Sequence, residues 1–286
     1  MSPKKTFASH PPSWCPGCGD FGIWQALQRS LLALGKRPDE VALVFGIGCS
    51  GNMVNFLKAY GFHGLHGRTL PVAEGIRLAN HDLPVIVVGG DGDGLGEGMG
   101  HFVHTIRANP NITYILHDNQ VYGLTRGQHS PTAPRGFVST TAPGGVVEEP
   151  VNPMALALTL GASFVSRGYA GDVDGLQAII TAAIQHEGFA LVDALQPCVT
   201  YNQHNTYRWY YERVYRLDEN GHDPSSFDQA WARAHEPMEE KIATGVFFRA
   251  ARPTLESQQP ALKDHTLVSH QPDSAVDISD LLEPYR

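Results

Sequence analysis

An aspartate and an asparagine that could bind a metal ion follow two neighbouring apolar runs of the chain. Asp91 stands among glycines in GGDGDG, directly after PVIVV, and Asn119 follows ITYILHD. A carboxylate and an amide oxygen at the ends of two strands suit Mg²⁺, which prefers octahedral oxygen coordination and usually keeps phosphate and water among its ligands. The carbonyl just after Asn119 could be a third protein ligand. Alternatively, Asp91 could cap a helix and Asn119 could form a turn.

Glycine-rich segments follow three of the apolar runs and read GIGCSGN, GGDGDG and HDNQVYG. Glycines let the backbone approach a ligand, and a helix that begins near Leu95 would offer free N–H groups to a phosphate. The chain has no GxxxxGK(S/T) P-loop. It also has no GxGxxG that opens a helix after the first strand with an acidic residue at the usual distance. A nicotinamide cofactor is therefore disfavoured.

The four cysteines, Cys15, Cys18, Cys49 and Cys198, are candidates for metal or redox chemistry. Cys15 and Cys18 form a CxxC pair, but it lacks the preceding strand that a thioredoxin-like dithiol requires. Zinc ribbons usually pair two close CxxC knuckles, whereas Cys49 and Cys198 each stand alone. From the residues themselves, a structural zinc and buried free thiols both stay open.

The elements that must position these residues alternate between helices and strands. Helical spacing marks residues 21–35, 52–61, 70–81, 94–109, 151–161 and 171–186, and short apolar runs mark strands at 41–48, 84–90, 112–119, 162–168 and 188–195. This alternation predicts an α/β fold with a doubly wound, mostly parallel sheet. Such sheets bind ligands beyond the carboxyl ends of their strands, where Asp91 and Asn119 fall.

Three regions follow from the composition along the chain. We expect residues 1–19 to form an N-terminal segment that carries the CxxC pair, and residues 20–200 to form the α/β domain. Beyond Pro197 the sequence becomes aromatic and polar, as in NQHNTYRWYYERVYRL. Residues 201–286 are therefore predicted to form a C-terminal extension that packs over the core or a partner and ends in a mobile tail.

Composition limits the classes of function. The chain has 286 residues, of which 42% are hydrophobic and 17% charged, and its formal net charge is -8. Lys and Arg are scattered without a basic stripe, so nucleic-acid binding has little support. No apolar run approaches the roughly 18 residues of a membrane span, and the N-terminus lacks the apolar region of a signal peptide. We expect a cytoplasmic protein that binds no membrane.

Six motifs, in order, resemble the β subunit of two-subunit 2-oxoacid:ferredoxin oxidoreductases. They are WCPGCGDFGIW, GIGCSGN, HGRTLPVAEGIRLAN, GGDGDG, DNQVYGLTRGQ and QPCVTYN, within residues 12–205. They include all four cysteines. GDG followed by Asn119 resembles the thiamine diphosphate (ThDP) motif, and ATGVFFRAARPTLE is similar to that subunit's C-terminal region. One such motif would be weak, but the ordered set is specific.

The resemblance implies the ligands of three groups. Mg²⁺ would be bound by Asp91, Asn119 and the Val121 carbonyl, and would hold the ThDP diphosphate. The cofactor would be bound or lined by Gly48, Cys49, Ser50, His66, Gly92, Asp93, Gly123 and Leu124. All four cysteines would hold one 4Fe–4S cluster, and backbone N–H groups of Gly17, Gly19 and Gly48 could donate to its sulfurs.

The resemblance also implies an activity and partners. A 2-oxoacid and CoA would give acyl-CoA and CO₂ while ferredoxin is reduced. The glutamate that activates ThDP is expected in an α subunit, so this chain would supply half of an active site and no certain catalytic residue. We expect an obligate α partner, in an (αβ)₂ assembly. Glu74 is the candidate glutamate in this chain, but we expect it on a helix surface.

The loop YGLTRGQ bears on the choice of substrate. Arg126 stands where the family commonly has lysine, and its planar fork could bind a second carboxylate, which favours 2-oxoglutarate. Arg126 could instead pair with the α subunit or bind a CoA phosphate, and the specificity could be for pyruvate or broad. Two other classes stay open: a non-redox ThDP decarboxylase or transferase half, and a zinc-stabilised nucleotide-binding interaction protein.

Overall fold

The computed structural model describes residues 7–263, 265–269 and 277–285. Its helices are α1 (Asp20–Ala33), α2 (Thr69–Ala79), α3 (Met99–Ala108), α4 (Pro153–Thr159), α5 (Val173–Gln185), α6 (Tyr207–Tyr211), α7 (Phe227–Ala234) and α8 (Ser279–Leu282). Its strands are β1 (Ala42–Phe45), β2 (Tyr60–His63), β3 (Val85–Gly90), β4 (Ile112–Asp118), β5 (Val121–Tyr122), β6 (Gln128–His129), β7 (Phe164–Tyr169), β8 (Ala190–Leu195), β9 (Val214–Arg216) and β10 (Ile242–Arg249).

Within these residues the main sheet has eight strands in the order β2-β1-β3-β4-β8-β7-β10-β9. Every pair from β2 to β7 is parallel, and β10 runs antiparallel to β7. After β1 the chain adds β2 on one side and β3 on the other. The order of the strands therefore reverses at β1, and a crevice forms at their carboxyl ends. The predicted α/β class and mostly parallel sheet are confirmed.

The sheet is buried on both faces because its strands alternate side chains between two apolar cores. Ile86 and Val88 of β3 face one core with the apolar sides of α1 and α5. Val85 and Val87 face the other core, which α2, α3, α4 and α7 cover. Burial on both faces explains why the strands read as continuous apolar runs rather than as polar–apolar alternation.

The N-terminal segment is tied to the loop that follows β1. Phe7 is fully buried, and Ala8 forms an isolated antiparallel bridge with Leu57. Trp14 packs edge-on against Phe56 and donates from Nε1 to the carbonyl of Cys49 at 2.7 Å. These contacts bring the CxxC segment to the carboxyl edge of the sheet.

Two parts of the fold differ from the sequence reading. The helix predicted over 52–61 is wrong, because a 3₁₀ turn at Gly51–Asn55 is followed by the edge strand β2. The turn already buries Met53, and Gly61 within β2 is a poor helix former. The segment after residue 200 contributes β9 and β10 to the main sheet, which its composition did not indicate. The predicted mobile tail lies partly outside the described residues.

A membrane span can be checked in the described part of the chain. Across residues 7–263, 265–269 and 277–285, no helix has the length and apolar character needed to cross a bilayer.

Candidate functional site

A pocket lies at the carboxyl ends of β1, β3 and β4. Its lining contains eleven residues that the sequence assigned to cofactor or metal binding: Gly48, Cys49, Ser50, His66, Asp91, Gly92, Asp93, Asn119, Val121, Gly123 and Leu124. They come from loops that are distant in sequence, and the parallel register brings these loops to one edge. The structure thus places Asp91 and Asn119 at the same pocket, as expected.

Asp91 is held as a buried carboxylate by four donors. Its Oδ1 accepts from the backbone N–H of Gly92 at 2.9 Å. Its Oδ2 accepts from Gln120 N at 2.9 Å, from Ser130 Oγ at 2.6 Å and from Thr132 Oγ1. Burial raises the pKa of this carboxyl, and the four donors oppose that rise. Oδ1 has one protein partner and keeps a lone pair for a cation, whereas Oδ2 is saturated.

Asn119 offers an oxygen whose orientation is fixed. Its Nδ2 donates to Oε1 of Gln196 at 2.6 Å, so Oδ1 is the atom on the other side of the amide. Oδ1 accepts from Val121 N at 3.0 Å and keeps a second lone pair. Asp91 therefore caps a helix and Asn119 forms an Asx turn, as the structural alternatives predicted. Both roles leave one oxygen of each residue available.

Asp93 organises loops around the pocket. Its Oδ1 accepts from Ile47 N at 3.1 Å and Gly67 N at 2.9 Å, and it lies 2.9 Å from His66 Nδ1. Its Oδ2 is buried without a hydrogen-bond partner, and burial raises its pKa. A carboxylate engaged with backbone N–H groups ties the loop after β1 to the loop that carries His66. It shapes the pocket without needing to face a phosphate.

The glycines after β3 make room for two tyrosines. Asp91 caps a π-helix, Gly92–Glu97, that precedes α3, so the helical region begins before the predicted Leu95. A Cβ on Gly92 would meet the ring of Tyr122, and one on Gly94 would meet the Tyr114 hydroxyl. The Tyr122 hydroxyl donates to the carbonyl of Gly92 at 3.0 Å. Irregular helical turns of this kind often occur at functional sites.

The four cysteines converge beside this pocket. The N–H of Cys18 donates to the carbonyl of Cys15 at 2.9 Å, which closes the CxxC turn. A Cβ built on Gly123 would lie 3.5 Å from the Cys49 sulfur and 3.7 Å from the Cys198 sulfur. Cys49 itself lines the pocket. The thiols and the metal-binding candidates are thus parts of one region.

Burial favours the neutral form of the thiols of Cys18, Cys49 and Cys198 by raising their pKa. Burial, the Asp20 carboxylate and the charges of Cys198 and Cys15 raise the pKa of Cys49 to about 12. Burial also raises the pKa of Cys198, although backbone N–H groups of residues 200–202 oppose this. Thiolates here need a nearby cation, and iron or another soft metal would displace their protons on binding.

Backbone donors toward a cluster differ in part from the expectation. The N–H of Gly19 donates to the carbonyl of Pro197 at 3.0 Å, so it is engaged with the protein. The backbone N–H groups of Thr200, Tyr201 and Asn202 are the ones that oppose the rise in the pKa of Cys198. Nothing in the sequence indicates these N–H groups, because their positions depend on how the chain turns after β8.

The remaining candidates lie outside the pocket lining. Arg126 is exposed on the loop after β5 with a φ of 80°, and among the described residues its side chain has no ion-pair partner. Glu74 lies half-buried on α2 and does not line the pocket. In the described residues, no three His, Cys, Asp or Glu side chains are gathered closely enough to hold a single metal ion, so the four cysteines share one region without forming a closed set of metal ligands. The Asp91 and Asn119 pair, with one carboxylate, is not a group of that kind.

The sequence reading missed the residues that support the ligands. Ser130 and Thr132 bind Asp91, and Gln196 binds Asn119. Asn202 donates to the carbonyl of Asn119 at 3.1 Å. Gln196 and Asn202 do flank Cys198 within the motif QPCVTYN, which was the available signal for them.

Two family models match the chain. Residues 46–194 match the C-terminal TPP binding domain of thiamine pyrophosphate enzymes, and thiamine pyrophosphate is another name for ThDP. Residues 198–264 match the C-terminal part of the pyruvate ferredoxin oxidoreductase beta subunit. The first match contains the loops after β1, β3 and β4. Fold and site together define a ThDP-binding enzyme domain.

Comparison with related proteins identifies the family more specifically. The 2-oxoacid:ferredoxin oxidoreductase subunit beta of Saccharolobus solfataricus is 42% identical over 293 residues, which cover 96% of each chain. The 2-oxoglutarate oxidoreductase subunit KorB of Mycobacterium tuberculosis is 46% identical over 189 residues, covering 66% of this chain and 51% of the relative. A solved 2-oxoglutarate:ferredoxin oxidoreductase from Magnetococcus marinus, with 2-oxoglutarate, coenzyme A and succinyl-CoA bound, superposes with a TM-score of 0.90 at 37% identity, covering 100% of this chain and 96% of that one. The chain belongs to the β subunits of 2-oxoacid:ferredoxin oxidoreductases.

Proposed function

We propose that this β subunit works with an α subunit to decarboxylate 2-oxoglutarate oxidatively, forming succinyl-CoA and CO₂ and passing two electrons to ferredoxin one at a time. The observation that carries the proposal is the meeting of two ligand sets in one region. Asp91 and Asn119 line the same pocket as Cys49, and Gly123 lies between that pocket and two thiols.

The proposed magnesium ligands are Asp91, Asn119 and the Val121 carbonyl. One oxygen of Asp91 and one of Asn119 retain a free lone pair, and the buried Asp91 carboxyl has a raised pKa that a cation would offset. Gly48, Ser50, Gly92 and Gly123 line the space where a diphosphate would approach the backbone. When bound there, ThDP supplies the carbanion chemistry of decarboxylation.

The proposed cluster ligands are Cys15, Cys18, Cys49 and Cys198. Their fit rests on four thiols in one neighbourhood and on the backbone N–H groups of residues 200–202, which oppose the rise that burial causes in the pKa of Cys198. Such N–H donors around a ligating sulfur favour the reduced state of an iron–sulfur cluster. Because Cys49 lines the ThDP pocket, electrons would have a short path from substrate to cluster.

The protein's own groups position the reactants. Asp91 and Asn119 would hold the metal, and the Asp93 contacts to Ile47 and Gly67 would keep the two loops in place. Tyr122, packed over Gly92, closes one side of the pocket and excludes water there. No proton transfer is assigned to this chain.

The α subunit is expected to complete the site. Within the described residues, the carboxylates that line the pocket are Asp91 and Asp93, and both are engaged with backbone donors. Asp91 is the proposed metal ligand, and the unpartnered Oδ2 of Asp93 is buried, so a glutamate from the α subunit fits the role of activating the aminopyrimidine of ThDP. We propose an obligate (αβ)₂ assembly.

The choice of 2-oxoglutarate rests on Arg126. Its exposed side chain, unpaired among the described residues, lies on the loop that leads away from Val121 and Gly123. A permanently charged planar fork can grip a distal carboxylate through two hydrogen bonds. Relatives named for 2-oxoglutarate and the solved neighbour with 2-oxoglutarate bound favour the same choice. Relatives named only for 2-oxoacids leave broad specificity as the alternative.

The test is CoA-dependent reduction of ferredoxin by the anaerobically purified complex, with 2-oxoglutarate and pyruvate compared as substrates. We expect a higher kcat/KM for 2-oxoglutarate, and no turnover by the β chain alone. Turnover by the single chain at the rate of the complex would overturn the shared site. A preference for pyruvate would overturn the assignment of substrate while leaving the family intact.

A further inference from the structure

A glutamine joins the proposed magnesium ligands to the proposed cluster ligands. The side chain of Gln196 accepts a hydrogen bond from Asn119 Nδ2 at 2.6 Å through its Oε1. Its Nε2 donates to the sulfur of Cys18 at 3.2 Å. One amide therefore touches a residue from each of the two sites, and it does so directly, without an intervening side chain.

The surroundings hold this amide in place. Gln196 follows β8, its N–H donates to the carbonyl of Asp118 at 2.8 Å, and its side chain is 2% exposed. A Cβ built on Gly19 would lie 2.8 Å from Gln196 Cγ, so glycine is needed for this close packing. Because burial keeps bulk solvent away from Gln196, the polar atoms of its amide depend on their protein partners.

The groups at both ends of this series of hydrogen bonds, Val121 and Cys18, require the same orientation of the Gln196 amide. At one end the N–H of Val121 can only donate, so it holds Asn119 with Oδ1 toward it and Nδ2 toward Gln196. At the other end a ligating thiolate of Cys18 can only accept. If the Gln196 amide were reversed, its NH₂ group would face the NH₂ group of Asn119, and its oxygen would face the sulfur of Cys18. The observed orientation is the one that satisfies every group.

We propose that Gln196 is a positioning residue for both sites: it keeps the Asn119 oxygen toward the metal and raises the reduction potential of the cluster by donating to the Cys18 sulfur. This inference rests on the proposed function. An N–H donor stabilises the extra negative charge of the reduced cluster, so its removal makes the potential more negative. Loss of the partner of Asn119 frees its amide to rotate and weakens metal binding.

The test is the Gln196→Met variant of the whole αβ complex, with Gln28→Met as a matched control. Gln28 is also a buried glutamine, 7% exposed, but among the described residues its side chain donates to the carbonyl of Trp24 in its own helix and to no other group. For Gln196→Met we expect a full complement of iron, a more negative midpoint potential in an EPR-monitored redox titration, and Mg²⁺-dependent ThDP binding weaker by about three- to tenfold. The control should match the wild type in all three measurements.

A full cluster with an unchanged potential in Gln196→Met would overturn the tuning role, and unchanged ThDP binding would overturn the metal-positioning role. If that variant takes up no cluster, the wild-type complex labelled with nitrogen-15 on glutamine side chains decides. Pulsed EPR of its reduced cluster should show coupling to a labelled nitrogen, and its absence would overturn the proposal. Failure of the proposed function would be evident earlier, because the wild type would then lack iron, ThDP or both.

Discussion

Replacing Asp91 by asparagine separates its role as a metal ligand from its role as a helix cap. The substitution keeps the size and shape of the side chain but removes its charge. The Oδ2 position accepts from Gln120 N, Ser130 Oγ and Thr132 Oγ1, so an NH₂ group placed there would confront three donors. The asparagine NH₂ is therefore expected at the Oδ1 position, where it confronts the single N–H of Gly92, faces the metal and cannot bind it.

The size of the effect follows from this geometry. Removing a partner of a metal ligand typically costs about 10- to 100-fold in metal affinity, so losing a directly binding carboxylate should cost at least about 100-fold for Mg²⁺. Stability of the protein without ligands should change little. The variant loses hydrogen bonds to a charge, but it also loses the cost of burying that charge, which is what raises the pKa of Asp91.

Isothermal titration of the cluster-loaded complex with Mg²⁺ and ThDP measures the loss, and thermal unfolding without cofactors measures stability. Asp172→Asn is the matched control, because Asp172 caps α5 by accepting from Gly175 N and does not line the pocket. We expect normal ThDP binding in the control and unchanged iron content in both variants. Stoichiometric ThDP in Asp91→Asn at wild-type affinity would refute the assignment of Asp91.

Three further predictions follow from particular contacts. Ser130→Ala removes one of the donors to Asp91 and should weaken Mg²⁺ binding by about tenfold, and an unchanged affinity would show that this bond does not orient the ligand. Arg126→Met should lower kcat/KM for 2-oxoglutarate by roughly ten- to a hundredfold and leave kcat/KM for pyruvate unchanged. The control Arg135→Met, which breaks an exposed ion pair, should change neither value. An equal loss for both substrates would indicate that Arg126 binds CoA or has a structural role. Burial, and to a lesser extent the charge of Arg249, lowers the pKa of His186 from 6.5 to about 4. The free energy of unfolding should therefore fall as the pH drops from 6.5 toward 4, by about 1–2 kcal/mol after allowance for solvent screening. Thermal unfolding of His186→Gln should lose this pH dependence, and a profile identical to that of the wild type would contradict the prediction.

The sequence predicted well those parts of the site that depend on short motifs at the ends of strands. Asp91 and Asn119 each follow an apolar run, and the rule that parallel strands end at one edge was enough to bring them to one pocket. The glycines of GGDGDG were predicted to let the backbone approach a ligand. The sequence did not indicate that Gly92 and Gly94 also make room for Tyr122 and Tyr114, which come from the later strands β5 and β4.

The parts that escaped prediction depend on long-range contacts. The helical spacing over 52–61 is real, but the pairing of β2 with β1 outweighs it. β10 reads as a plausible strand only once its antiparallel partner β7 is known. The motif QPCVTYN drew attention to the segment that contains Gln196, but the role of this residue depends on the simultaneous positions of Asn119 and Cys18.

The most direct test of the account is the metal and cofactor content of the anaerobically purified αβ complex. The convergence of Cys15, Cys18, Cys49 and Cys198 beside the pocket of Asp91 predicts about four irons and one ThDP for each β chain. Cys198→Ser should lose the iron and keep the ThDP. Zinc in place of iron, or about two irons or fewer for each fully assembled β chain, would contradict the central claim that one region of this chain joins the cofactor to a 4Fe–4S cluster.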